Sequence, residues 1–429
     1  MEASREDVSQ GSISEDSRGR WDFWLGVGLV VHLAGIYFFE NWVMQNIWGG
    51  LVIGLAMWKR GGELRSVFAE TTWLRWVGGW LVVQFFLGFA LAHEQEGLGV
   101  YFMRAWDVVA VPAVLGIWVC FLRRGQGIES VTVYFIALIG FLTAVISFLS
   151  FYSAEGLFPH ARLMNQFVNW WWNNGLHPVL TGLTFAFAAV CMLLIFLKEE
   201  RKWLSWSALV GFGVLLFMLF FAHTRGALLA LAAGLPVALL GARNWRALIG
   251  LVVSGVAFGA YLWTYANVGS LPSPDQFEGK EIVVSGKSLL ERQDAGRFGL
   301  YRVLLEGNTS AIDWIIGRGL WAKDHGKDDG MTEWAFHPHS IFVSMLVHHG
   351  IVGMAFLAWF LGLAAWRAIR LWLTGRPEWL SLLAFGCAGQ LFDGHLVFSL
   401  TSIPRIEPLL ILFPAAVALT LGSPKLKST

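Results

Sequence analysis

The sequence predicts an all-α polytopic integral membrane protein with about twelve transmembrane helices. Hydrophobic residues make up 56% of the 429 and charged residues only 14%, far from the usage of soluble domains. Apolar runs close to the length needed to cross hydrocarbon recur along the chain. Lys and Arg collect at every second connection between those runs, as the positive-inside rule requires of a multi-pass protein. The 24 tryptophans suit many membrane–water boundaries, where indole is favoured.

Taken in order, residues 1–20 are polar and rich in Ser, Asp and Glu, and read as a disordered cytoplasmic tail. They show no cleavable signal pattern. Residues 21–429 then form a single transmembrane domain. Its expected spans lie near 21–39, 42–58, 76–92, 105–122, 131–151, 178–197, 203–222, 226–242, 245–263, 339–364, 379–396 and 407–422. The second and eighth are short, and Pro408 and Pro414 interrupt the last.

One set of connections holds Lys59, Arg60, Arg65, Arg75, Arg123, Arg124, Lys198, Arg201, Lys202, Arg243, Arg246, Arg367, Arg370 and Arg376. Both termini are therefore expected in the cytoplasm. The loops around Glu94–Met103, Tyr152–His177, His223–Arg225, Tyr265–Pro338 and Asp393–Arg405 then face outward.

A net charge of +1 argues against nucleic acid as a partner. The three cysteines, Cys120, Cys191 and Cys387, fall in apolar runs without CxxC or zinc-like spacing, so neither a disulfide nor a structural metal is expected.

Two outer segments stand apart. Asn169-Trp170-Trp171-Trp172-Asn173-Asn174 is too short to span and reads as an interfacial anchor. The connection 265–338, between the ninth and tenth spans, is the only long one. Ser288-Leu289-Leu290-Glu291 reads there as a capping box and Gly307 as a helix stop. The helix between them carries Leu290, Arg297, Tyr301 and Leu304 on one stripe, with Arg302 on the adjoining face. A second short helix near 311–316 ends in Gly317-Arg318-Gly319. This is the pattern of a lid on the membrane surface, apolar side down.

The residues hardest to explain as structure lie on that outer side. His337-Pro338-His339-Ser340 opens the tenth span, and proline suits a first helical turn, so His339 and Ser340 are expected in that turn. Gly350 lies on nearly the same face as His339, which suggests a smooth groove below the imidazole. Arg225 stands at a tight outer turn, where it either snorkels to headgroups or forks onto a phosphate. Arg225 and Arg297 together would suit a pyrophosphate at headgroup depth. Asp393 ends a span beside Gly394 and His395, and an ionisable residue facing a bundle is usually functional. His348 and His349 lie deeper and read as satisfied within the bundle. Glu94, Glu96 and Asp107 have no spacing that pairs them.

The stretches Thr224-Arg225-Gly226-Ala227-Leu228-Leu229-Ala230-Leu231, Gly296-Arg297-Phe298-Gly299-Leu300-Tyr301-Arg302 and Gly317-Arg318-Gly319, followed by His339-Ser340 with Gly350 and Gly353, resemble the O-antigen ligase family. The resemblance covers roughly 203–365. It implies a GT-C-like glycosyltransferase of the Gram-negative inner membrane, working on the periplasmic face without metal, nucleotide sugar or other cofactor. The donor would be O-antigen on undecaprenyl diphosphate, and the acceptor a sugar hydroxyl of lipid A–core.

Family roles carry to Arg225 and Arg297 as diphosphate binders and to His339 as base, with Arg302 as an auxiliary cation and Asp393 as a polar partner in the site. His337 and Ser340 join the substrate-binding candidates, although no family role attaches to His337. Tyr301 stands where the family usually has tryptophan, which blurs whether Arg297 or Arg302 is the true counterpart. The chemistry of the residues agrees with these roles. Arginines balance charge on a departing diphosphate while an imidazole takes the proton of the attacking hydroxyl. A single displacement would invert the anomeric carbon. An O-antigen polymerase is the nearest rival, and a lipid-linked sugar flippase a more distant one.

Overall fold

The computed structural model describes residues 21–39, 42–91, 98–125, 127–155, 163, 178–222, 224–243, 297–319, 338–400 and 406–423. The 1–20 tail, the 169–174 aromatic run, the 245–263 span, the 288–291 capping box, Glu94, Glu96 and His337 lie outside them.

Helices account for the regular structure of the described residues, and no strand occurs among them. They are α1 (Trp21–Tyr37), α2 (Trp42–Glu70), α3 (Thr72–Leu91), α4 (Leu98–Arg123), α5 (Ile128–Glu155), α6 (Pro178–Lys198) and α7 (Lys202–Ala222). After these come α8 (Arg225–Gly241), α9 (Arg297–Glu306), α10 (Ala311–Ile316), α11 (Ile341–Leu373), α12 (Glu378–Gly389) and α13 (Pro408–Leu421). Among the described residues six helices are long and apolar enough to cross a membrane: α3, α4, α5, α6, α7 and α11. Three shorter apolar helices, α1, α8 and α13, accompany them. The molecule is a membrane protein.

The core follows from which helices are apolar all round. Within α6, residues such as Leu183, Phe185, Phe187, Val190 and Cys191 are buried on every side, and the helix packs against α5, α7 and α8. A second centre is α4, which meets α2, α3 and α13. Small residues bring helix backbones close where lipid offers no hydrophobic drive. Ser381 of α12 donates its hydroxyl to the Gly234 carbonyl of α8 at 2.8 Å.

Three expected boundaries shift. The second span continues past residue 58 to Glu70, with a break at Arg60 (φ −135°, ψ 19°), so its charged half extends beyond the apolar run. The eleventh span is helical only to Gly389, although its apolar composition runs on to 396. Residues 390–400 are irregular and mostly buried. Such backbone is tolerated at membrane depth only where protein surrounds it and supplies hydrogen bonds. Here the Gln390 carbonyl accepts from Ile341 N at 3.2 Å. His395 N donates to Glu407 Oε1 at 2.7 Å, and Leu400 N to Asp107 Oδ1 at 2.7 Å.

The third shift is inside α11. Gly350 has φ 62° and ψ −161°, which breaks the 33-residue helix, so no smooth groove runs below the imidazole. The end of α10 fills that break. Arg318 N donates to Val347 O and Gly319 N to His348 O, each at 3.0 Å. A Cβ added at Gly317 would fall 2.2 Å from the His348 carbonyl carbon, and one at Gly350 would fall 2.5 Å from that of Ile315. Only two glycines permit this approach.

Candidate active site

His339 stands just before α11 and not within its first turn. Helical geometry begins at Ile341; Ser340 is the N-cap, extended, with its hydroxyl accepting from Val343 N at 3.5 Å. That capping role occupies Ser340, which is buried. His339 itself has φ 49°, a left-handed conformation that non-glycine residues adopt rarely and that clusters at functional sites. Tyr301 of α9 holds this backbone from above, donating its hydroxyl to the His339 carbonyl at 3.3 Å.

The irregular 390–400 segment delivers the second group. Asp393 Oδ1 lies 3.3 Å from His339 Nδ1, with the imidazole 32% exposed and the carboxylate 5% exposed. A carboxylate only accepts, so Nδ1 carries the hydrogen of this contact; in a neutral imidazole Nε2 would then be the accepting nitrogen. The pair thus has one face toward protein and an accessible ring. The second oxygen, Asp393 Oδ2, and both polar atoms of the Gln390 amide are buried without a partner among the described residues.

Arg225 is the first residue of α8. Ala230, about 7.5 Å further along that helix, sits against Gly389 of α12, the last helical residue before the Asp393 turn. Arg225 therefore shares the end of the bundle with His339 and Asp393. Thr224 before it is buried against Gly182 of α6.

Arg297 opens α9 one turn ahead of Tyr301. The Leu300 and Leu304 side chains of α9 are buried against Val347 of α11, with Val343 and Leu305 at the edge. Arg302 is not brought into the cluster. It is 79% exposed and paired with Glu306 at 2.7 Å, one turn along the same helix. The hydrogen bond to Glu306 raises the pKa of its guanidinium above the ordinary arginine value.

Arg318, by contrast, points inward, and its Nη2 donates to the Leu304 carbonyl at 3.1 Å. That bond ties the end of α9 to the α10–α11 junction.

The deeper histidines are each engaged through Nδ1, while His348 Nε2 is buried without a hydrogen-bond partner among the described residues. His348 Nδ1 lies 3.2 Å from the Gly319 carbonyl, and His349 Nδ1 meets Gln84 of α3. Asp107, unpaired in the sequence reading, accepts from Ser399 Oγ at 2.7 Å and lies 3.7 Å from Arg104. Glu407, which the sequence reading passed over, is its counterpart on the other side of the irregular segment. Gly389 and Gly394 were the available signal: glycines interrupt a helix, and the freed N–H groups need acceptors. No three His, Cys, Asp or Glu side chains gather as a metal site among the described residues.

Residues 210–358 match the family described as O-Antigen ligase. That match covers about a third of the chain and supports an O-antigen ligase family assignment over that stretch. It runs from within α7 to the middle of α11 and takes in Arg225, Arg297, Arg302, His337, His339 and Ser340. Asp393 lies beyond it. No curated protein matches the chain. Members of this family are glycosyltransferase-like enzymes, ligases and polymerases that act on lipid-linked polysaccharide.

Proposed function

We propose that the chain is an O-antigen ligase, transferring polysaccharide from undecaprenyl diphosphate to a sugar hydroxyl of lipid A–core at the periplasmic face of the inner membrane. The observation that carries this reading is the His339–Asp393 pair at the head of α11, within reach of the segment matched to the family.

In the proposed reaction the acceptor hydroxyl approaches His339 Nε2 and gives it a proton as its oxygen bonds to the anomeric carbon. The bond from that carbon to the diphosphate breaks, and the lipid diphosphate leaves with the electron pair. Asp393 holds Nδ1–H, fixes the tautomer and balances the imidazolium as it forms. Arg225 and Arg297 meet the growing negative charge on the diphosphate. The leaving group is already good, so positioning and charge balance supply most of the acceleration. The displacement inverts the anomeric carbon, on a GT-C-like all-helical scaffold, without metal or nucleotide. With Arg302 exposed and paired, Arg297 is the better second cation.

The test is transfer in proteoliposomes containing lipid-linked O-antigen and lipid A–core, with EDTA and without nucleotides. Product from wild type, lost in His339→Ala and in Arg225→Ala, is the expected result. Extension of the donor glycan with lipid A–core ignored would make the protein a polymerase instead.

A further inference from the structure

The α9–α10 hairpin carries large apolar side chains that the described residues leave uncovered. Ile312 is 58% exposed and Ile315 is 52% exposed, three residues apart on one face of α10; Trp314 and, on α9, Phe298 are exposed as well. Within the hairpin, α10 keeps its backbone ends satisfied. Ser310 and Asp313 form a capping box at the start of α10, Gly317 N returns to Asp313 O, and the next two N–H groups donate to α11. A helix with exposed apolar side chains and satisfied ends, as α10 is, is suited to lipid contact.

Its depth points the same way. The end of α10 abuts Gly350 of α11, nine residues below the helix start. From Gly350 to Arg367, the first cation toward the other end of α11, the rise is about 26 Å. A hydrocarbon core is about 30 Å thick, so Gly350 falls just inside its edge on the His339 side. Directly below, Ile351 and Val352 are exposed and continue the apolar surface of α10 along the bundle.

We infer that the exposed face of α10, with Phe298 of α9, is inserted in the membrane leaflet on the His339 side and is covered by lipid acyl chains. The hairpin is then a wedge fixed into the leaflet, not a flap above it. Tyr301 connects it to the His339 backbone, and Arg318 N connects it to Val347 of α11. If the transferase reading holds, this face lines the approach of the donor's polyprenyl chain; the insertion itself does not depend on that reading.

Single-cysteine variants Ile312→Cys, Ile315→Cys and Glu306→Cys, in a background with Cys120, Cys191 and Cys387 replaced by Ala, would carry bimane in full-length protein reconstituted in liposomes. Glu306 is 60% exposed in its ion pair and reports the aqueous side. Brominated acyl chains should quench bimane at 312 and 315 several-fold more than at 306, and iodide should quench only 306. Iodide quenching at 312 and 315 would overturn the inference, and so would protection from both quenchers, which would mean that another protein segment covers the face. Neither outcome bears on whether the protein transfers glycan, because no activity is read.

Discussion

At the cation-rich end of the bundle, Asp22 is shared by Arg60 at 3.0 Å and Arg124 at 2.9 Å, and Arg124 also meets Glu63. Arg123 pairs with Glu70 at 2.7 Å, while Glu378 takes both Lys198 and Arg376. At the opposite end Asp393 has no Lys or Arg partner among the described residues. One of its oxygens faces an imidazole held in a left-handed turn, and the other meets nothing described. Carboxylates at the first end neutralise guanidinium groups and join helices. At the second end a buried carboxylate and a strained backbone are maintained at a cost to stability, the usual mark of a working site.

Substitutions at the two ends should therefore fail differently. His339→Ala is expected to lower the transfer rate by about 10²- to 10⁴-fold, the usual worth of a general base, with the thermal midpoint nearly unchanged. A rate loss accompanied by unfolding would erase the contrast. Next in size, Gly350→Ala places a side chain at φ 62° and against the α10 backbone, and should cost about 2 kcal/mol or more in thermal unfolding. Asp22→Asn leaves two guanidinium groups without their shared carboxylate. It should cost about 1 kcal/mol in stability while turnover per folded molecule stays the same.

The smallest effect is on pH. Burial opposes ionisation of Asp313, but hydrogen bonds from Ser310 and Thr309 outweigh it and hold the carboxyl below its ordinary 3.8. A depressed carboxyl contributes stability that is complete above its ordinary value. That stability is lost as pH falls from there through the folded value. Hydrogen exchange in α10 should accelerate on acidification below about pH 4, and Asp313→Asn should remove that dependence.

Much of the helical frame was legible because composition and hydropathy period act locally: α3 to α8 fall where the apolar runs lie. The α9 stop at Gly307 and the short helix 311–316 were legible from turn chemistry in the same way. The end of α12 was not, because apolar residues continue past Gly389 while the helix does not, and hydropathy does not report backbone hydrogen bonds. His339 and Asp393 were each visible as polar residues at span ends. Their contact was not, since it joins positions 54 residues apart and depends on the irregular turn that Asp107 and Glu407 brace. The partner of Arg302 was one turn away, and the exposed face of α9 hid it from a reading that weighed only cations. The break at Gly350 read as a small-residue groove, because a glycine's sequence neighbours do not reveal which backbone will approach it.

The central claim is that Asp393 acts through His339. A double-mutant cycle on single-turnover transfer tests it, with Asp393→Asn, His339→Ala and the double variant measured in the same liposomes. Asp393→Asn should be slowed, and the double variant should be no slower than His339→Ala alone, because a carboxylate that orients an imidazole has nothing to orient once the ring is gone. Rate losses that multiply would show that the two residues act independently and would contradict the account.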